Sequence, residues 1–168
     1  FGQRVVCCVR LSRLPNYSER MPVHLLGGAE IRSLAAELDV TPTKKLGQNF
    51  VVDPNTVRRI ARLAGVGPDT PVVEIGAGLG SLTLALAETG ASVTAVEIDR
   101  HLRPILEEVV EGLDVTVIAG DAMELDWDEV LAGHPSWVLV ANLPYNVATP
   151  LVLDLLRDVP AIERMLVM

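Results

Sequence analysis

The residues with the plainest chemical potential are Asn142-Leu143-Pro144-Tyr145, which follow an apolar run, and Glu74-Ile75-Gly76-Ala77-Gly78-Leu79-Gly80 upstream of them. The amide oxygen of Asn142 and the backbone carbonyl of Leu143 can accept the two hydrogens of an adenine amine. Held that way, the nitrogen lone pair turns toward an electrophilic methyl group, and positive charge developing on nitrogen is stabilised. In-line alignment supplies further acceleration. Pro144 fixes the turn, and Tyr145 offers a face on which a base can stack, worth ~1–3 kcal/mol. The base must be unstacked or flipped to enter such a pocket. No general base is needed, because a methylated ammonium loses its proton easily. The bland alternative is an Asn-x-Pro turn after a buried strand.

The glycine stretch follows an apolar strand and opens a helix, the context for a loop whose backbone approaches a ligand closely. Gly76 and Gly78 are its candidate contacts. It is not the dinucleotide fingerprint, because the third glycine of G-x-G-x-x-G falls at Ser81, which disfavours pyrophosphate. Glu97, at the end of a second strand, can accept both hydroxyls of an adenosine ribose, although a dehydrogenase places an acid there too. Asp121, after a third strand, can accept from the adenine amine. Joined to an amine-presenting loop, these residues point to S-adenosyl-L-methionine as cofactor. Glu74 lies inside the first strand, where it holds either the glycine loop or the cofactor's ammonium group. His24, His101 and His134 lack metal-ligand spacing, so no metal site is expected. Trp127 and Trp137 read as packing residues.

These residues need a scaffold, and the sequence outlines one. Strands are expected at 72–75, 93–97, 115–119 and 137–141, with a fifth beginning at 164. Helices are expected at 28–40, 54–64, 80–88, 99–111 and 148–157. Asp53-Pro54 is an N-cap followed by proline at the first helical position, and Gly65 or Gly67 is the stop signal. Strand–helix alternation with short turns predicts an α/β fold, a doubly wound Rossmann-like parallel sheet truncated after about five strands. An apolar content of 49% with only 4% aromatics suits buried parallel strands under helices. No apolar run approaches the ~20 residues of a membrane span, and the adjacent Cys7-Cys8 pair offers no disulfide framework. A soluble, cytoplasmic monomer is expected. Residues 1–20 carry four arginines against Glu19 and read as a disordered extension or as sequence upstream of the true start, with the catalytic domain over 21–168.

The net charge of −8 at first argues against a nucleic-acid partner. Its distribution along the chain points the other way. Lys44, Lys45, Arg58, Arg59 and Arg62 face Asp53 alone across residues 44–62, a net of +4, whereas residues 63–168 carry a net of −13. Lys44, Lys45, Arg58 and Arg59 are therefore candidate RNA contacts; the alternative is a solvated helix face.

Five motifs in order, Lys45-Leu46-Gly47-Gln48-Asn49-Phe50, Glu74–Gly80, Val96-Glu97-Ile98-Asp99, Gly120-Asp121 and Asn142-Leu143-Pro144-Tyr145-Asn146, carry a family likeness. Over residues 28–168 the chain resembles the ribosomal RNA adenine dimethyltransferases, the kasugamycin-resistance methyltransferases of the small subunit. The resemblance implies a loop at Gln48-Asn49-Phe50 that closes over the cofactor, with Asn49 and the backbone at Val51 in contact. It also implies cofactor contacts at Gly76, Glu97, Asp121 and Asn142. Val51 departs mildly from the family's usual leucine, and the family continues past Met168 with more sheet and a small helical RNA-binding domain. The implied activity is dimethylation of two adjacent adenosines near the 3′ end of small-subunit rRNA, within the immature subunit. Macrolide-resistance methyltransferases of the large subunit share part of the pattern. A non-catalytic ribosome-assembly or transcription factor with the same fold is the alternative from another class. A DNA adenine methyltransferase usually carries Pro-Pro in the tetrapeptide, which is absent here.

Overall fold

Asp53 begins the first complete helix by the means its sequence suggests. Its carboxylate accepts the backbone N–H groups of Asn55 and Thr56, Pro54 takes the first turn, and Gly65 closes the helix at φ 62°. The computed structural model describes residues 23–27, 29, 30, 33 and 53–168. Residues 29, 30 and 33 are helical, as expected. The rest of the 28–40 helix, the 1–20 extension, and Lys44, Lys45, Asn49 and Val51 lie outside the described residues.

In chain order the elements are α1 (Pro54–Ala64), β1 (Pro71–Ile75), α2 (Ser81–Glu88), β2 (Ser92–Glu97), α3 (Arg103–Val109), β3 (Val115–Ala119), α4 (Trp127–Val130), β4 (Trp137–Ala141), α5 (Tyr145–Asp158) and β5 (Ile162–Val167). The five strands form one parallel sheet in the order β3-β2-β1-β4-β5. β1 and β4 are neighbours although two strands and three helices separate them in sequence. The strand order reverses between them, and open sheets bind ligands at that crevice, beyond the carboxyl ends of the strands.

Alternation along the strands divides the core. Val72, Val93, Val138 and Val140 pack under α1 and α2, with Leu25 from the N-terminal segment. Ala95 meets Leu106 and Val110 at α3 on that same face. Val73, Ile75, Val96, Leu139 and Ala141 face the other way, against Leu131, Leu151 and Leu155 around α4 and α5. Both faces of the sheet are covered, which is why its strands read as continuous apolar runs.

Three element starts differ from expectation by two residues or more. α3 starts at Arg103 rather than 99, because residues 99–102 form turns anchored on the Asp99 carbonyl, with Pro104 in the helix's first turn. α5 starts at Tyr145 rather than 148. Pro144 caps it with extended backbone (ψ 143°), and its carbonyl accepts from both Val147 and Ala148. β5 starts at Ile162 rather than 164, because a register shift lets Ile162 and Arg164 pair with the consecutive Trp137 and Val138. The short α4, capped by Asp126, was not anticipated. Both tryptophans serve packing, as expected: the indole N–H of Trp137 donates to Leu131 O (3.0 Å) and that of Trp127 to Ala122 O (3.2 Å).

Candidate active site

The glycine loop leaves β1 in a conformation that side chains resist. Gly76 has φ 77°, and a Cβ there would lie 3.0 Å from Leu143 Cδ2 and 3.9 Å from the Asn142 carbonyl oxygen. Glycine suits this position for its backbone angle, and the β4–α5 loop lies close beside it. That approach joins two motifs that lie more than sixty residues apart in the chain.

Below the loop, β2 braces it. The N–H groups of Gly76 and Ala77 both donate to the Val96 carbonyl (2.9 and 3.2 Å). Gly78, at φ 59°, donates its N–H to Glu97 Oε2 at 2.7 Å. Glu97 is only 5% exposed, and its Oε1 accepts from Asp99 N at 2.8 Å. An ionised carboxylate offers about four acceptor positions, so about two remain after these bonds. Those two match a vicinal diol.

Asp121 follows β3, whose end is tied to β2 by Gly120 N–H donating to the Glu97 carbonyl (3.0 Å). Its Oδ1 accepts from Met123 N (2.9 Å), forming a turn that fixes the half-buried carboxylate. Leu143 donates its N–H to the Met168 carbonyl (3.2 Å), and Met168 donates back to Ala141 O (3.0 Å). The backbone of the β4–α5 loop is thereby held by the edge strand. Tyr145 stands at the first residue of α5, 87% exposed.

The basic residues are placed differently. On α1, Arg58 makes a two-pronged bond to Glu88 of α2, Nε to Oε2 and Nη2 to Oε1, both 2.8 Å. Arg59 and Arg62 are exposed. Among the described residues no group of three potential metal ligands occurs, and no helix is long and apolar enough to cross a membrane.

A family profile described as ribosomal RNA adenine dimethylase matches residues 41–168. The chain belongs to that family. It is 58% identical over 153 residues to ribosomal RNA small subunit methyltransferase A of Corynebacterium jeikeium, covering 87% of this chain and 48% of that protein. The protein of the same name from Streptomyces avermitilis is 52% identical over 157 residues, covering 90% and 52%. The chain spans about half the length of the curated relatives it matches. Among solved structures, the 23S rRNA methyltransferase ErmE is similar at TM-score 0.59 and 33% identity, covering 71% of this chain and 48% of that one. A dimethyladenosine transferase from Plasmodium falciparum is similar at TM-score 0.56 and 27% identity, covering 68% and 41%.

Two exposed apolar side chains stand beside the candidate acids of this adenine dimethylase family member. Ile98 directly follows Glu97 and is 53% exposed; Met123 follows Asp121 by two and is 46% exposed. Both are apolar side chains left open beyond the ends of neighbouring strands, beside acids suited to an adenosine. The signal was present in the sequence, as an apolar residue just past each strand-end acid.

Proposed function

We propose that this chain carries the catalytic site of an S-adenosyl-L-methionine-dependent enzyme that dimethylates the N6 amines of two adjacent adenosines near the 3′ end of small-subunit rRNA, during ribosome biogenesis. The observation that carries the reading is the close approach of the Asn142-Leu143 loop to Gly76, which supports a cofactor cradle beside an amine-accepting turn. Bound there, the cofactor supplies an electrophilic methyl group on a sulfonium. Glu97 holds the ribose diol, Asp121 the adenine amine, and Ile98 and Met123 offer apolar contact to the adenine ring. Gly76 and Gly78 let the backbone close on the cofactor.

The oxygens of Asn142 and Leu143 orient the target amine and stabilise the charge it gains, while Tyr145 stacks on the extruded base. Asn49 and Val51 complete the cofactor pocket, and Arg59 meets phosphate with Lys44 and Lys45. Arg58 is a weaker candidate for that task, since Glu88 already engages its guanidinium. We assign the protein to the cytoplasm, as a monomer acting on the immature small subunit. Relatives at half identity or more named for the small subunit favour it over the large subunit, although ErmE keeps the second reading open to test.

Calorimetry tests the first step. S-adenosyl-L-methionine and its demethylated product are expected to bind and NAD is not, since the loop lacks the third glycine that close pyrophosphate packing uses. NAD binding tighter than the methyl donor contradicts the assignment.

A further inference from the structure

Glu74 is the one ionisable side chain of β1 and is buried at 1% exposure, yet it belongs to no ion pair among the described residues. Its Oε2 accepts a hydrogen bond from Thr83 Oγ1 at 2.6 Å, in the first turn of α2. Between these two residues runs the whole glycine loop, 76–80. We propose that the Glu74–Thr83 bond is the pin that sets the shape of this loop, making Glu74 a positioning residue for the cofactor rather than a ligand to it. The proposal rests on the methyltransferase reading for its consequence, but not for its geometry.

A loop with left-handed glycines at 76, 78 and 80 has unusual backbone freedom. Fixing its two ends against each other removes much of that freedom. Glu97 braces the middle through Gly78; Glu74 and Thr83 close the ends. The chemistry of the pin suits a neutral acid. Burial, and secondarily the charge of Glu97 on the same sheet face, push the Glu74 carboxyl up to about 8, against the opposing effect of Thr83. Of the other charged groups on the elements over this face, Arg58 pairs with Glu88, Arg103 with Glu107, and Arg164 donates to the Ala64 carbonyl, while Arg59, Arg62 and Glu108 are exposed. β4 carries no titratable side chain.

The sign of the pH dependence follows. The folded value lies above the ordinary 4.5, so folding retains a proton. The contribution is fully present below about 4.5 and is lost as pH rises through about 8.

Three variants of the intact chain test the pin: Glu74→Gln, Glu74→Ala and Thr83→Val. Glu74→Gln keeps a neutral acceptor for Thr83, so amide exchange at residues 76–80 and affinity for S-adenosyl-L-methionine should stay within about twofold of wild type. Thr83→Val removes the donor; loop exchange should accelerate, and affinity fall, by about fivefold or more. Glu74→Ala should do at least as much. In thermal melts from pH 5 to 9, Glu74→Gln should gain on wild type as pH rises to about 8 and then level off.

Parallel melting curves for Gln and wild type would overturn the neutral state of the Glu74 carboxyl; unchanged loop exchange in Thr83→Val would overturn the proposal. So would a tenfold affinity loss in Glu74→Gln with normal exchange, which makes the carboxylate a ligand. If Thr83→Val fails to fold, exchange at residues 76–80 in Glu74→Ala beside Glu74→Gln still decides, and equal exchange in the two overturns the pin. Should wild type bind no methyl donor, the functional reading fails, while the exchange and melting results still judge the pin.

Discussion

Asn142→Ala should abolish methyl transfer while leaving cofactor affinity nearly unchanged. The amide is expected to act on the reacting amine, where positive charge grows only in the transition state, so its removal should cost on the order of 10²-fold or more in rate. The fold permits a clean experiment. The loop backbone is held by Leu143 donating to Met168 and Met168 donating to Ala141, so truncating one side chain leaves the turn in place. Single-turnover transfer measured beside calorimetry separates the two effects. Turnover near wild type would remove Asn142 from the mechanism, and a parallel collapse of cofactor affinity would move its role to binding.

Glu97→Ala should weaken S-adenosyl-L-methionine by about 1–3 kcal/mol, roughly tenfold to a hundredfold, through loss of charge-assisted hydrogen bonds to the ribose. The same carboxylate also accepts from Gly78 and Asp99, so part of the loss reflects a loosened loop. Glu97→Gln should fare little better. Both oxygens face backbone N–H donors, so an amide must turn its own NH₂ against one of them. Titration of the cofactor into each variant checks this, and wild-type affinity in Glu97→Gln would show that the carboxylate's two acceptors are not both needed.

Much of this architecture was legible before any coordinates. The apolar runs at β1, β2 and β4 are buried on both faces, so each announces itself without needing a period, and the Asp53-Pro54 signal and the first of two candidate stop glycines, Gly65, mark both ends of α1. Local signals failed where long-range contacts decide. The helix expected at 148–157 begins at Tyr145, capped by Pro144, and carries Pro150 inside it. The α4 helix has only four residues, too few to show a period. Arg58 looked like one of a basic cluster because Glu88, its partner thirty positions away, is invisible to any local window. For Glu74 the sequence left two roles open, and the bond to Thr83 supplies the structural one.

The central claim is that the glycine loop and the Asn142–Tyr145 turn together methylate adenine in small-subunit RNA. The most direct test supplies labelled S-adenosyl-L-methionine and the protein to immature small subunits from cells lacking the modification, with large subunits in parallel, and maps products by primer extension. The account predicts label in two adjacent adenosines near the 3′ end of the small-subunit rRNA, lost in Asn142→Ala. Label confined to large-subunit RNA, or no transfer from a protein that binds the donor, would contradict it.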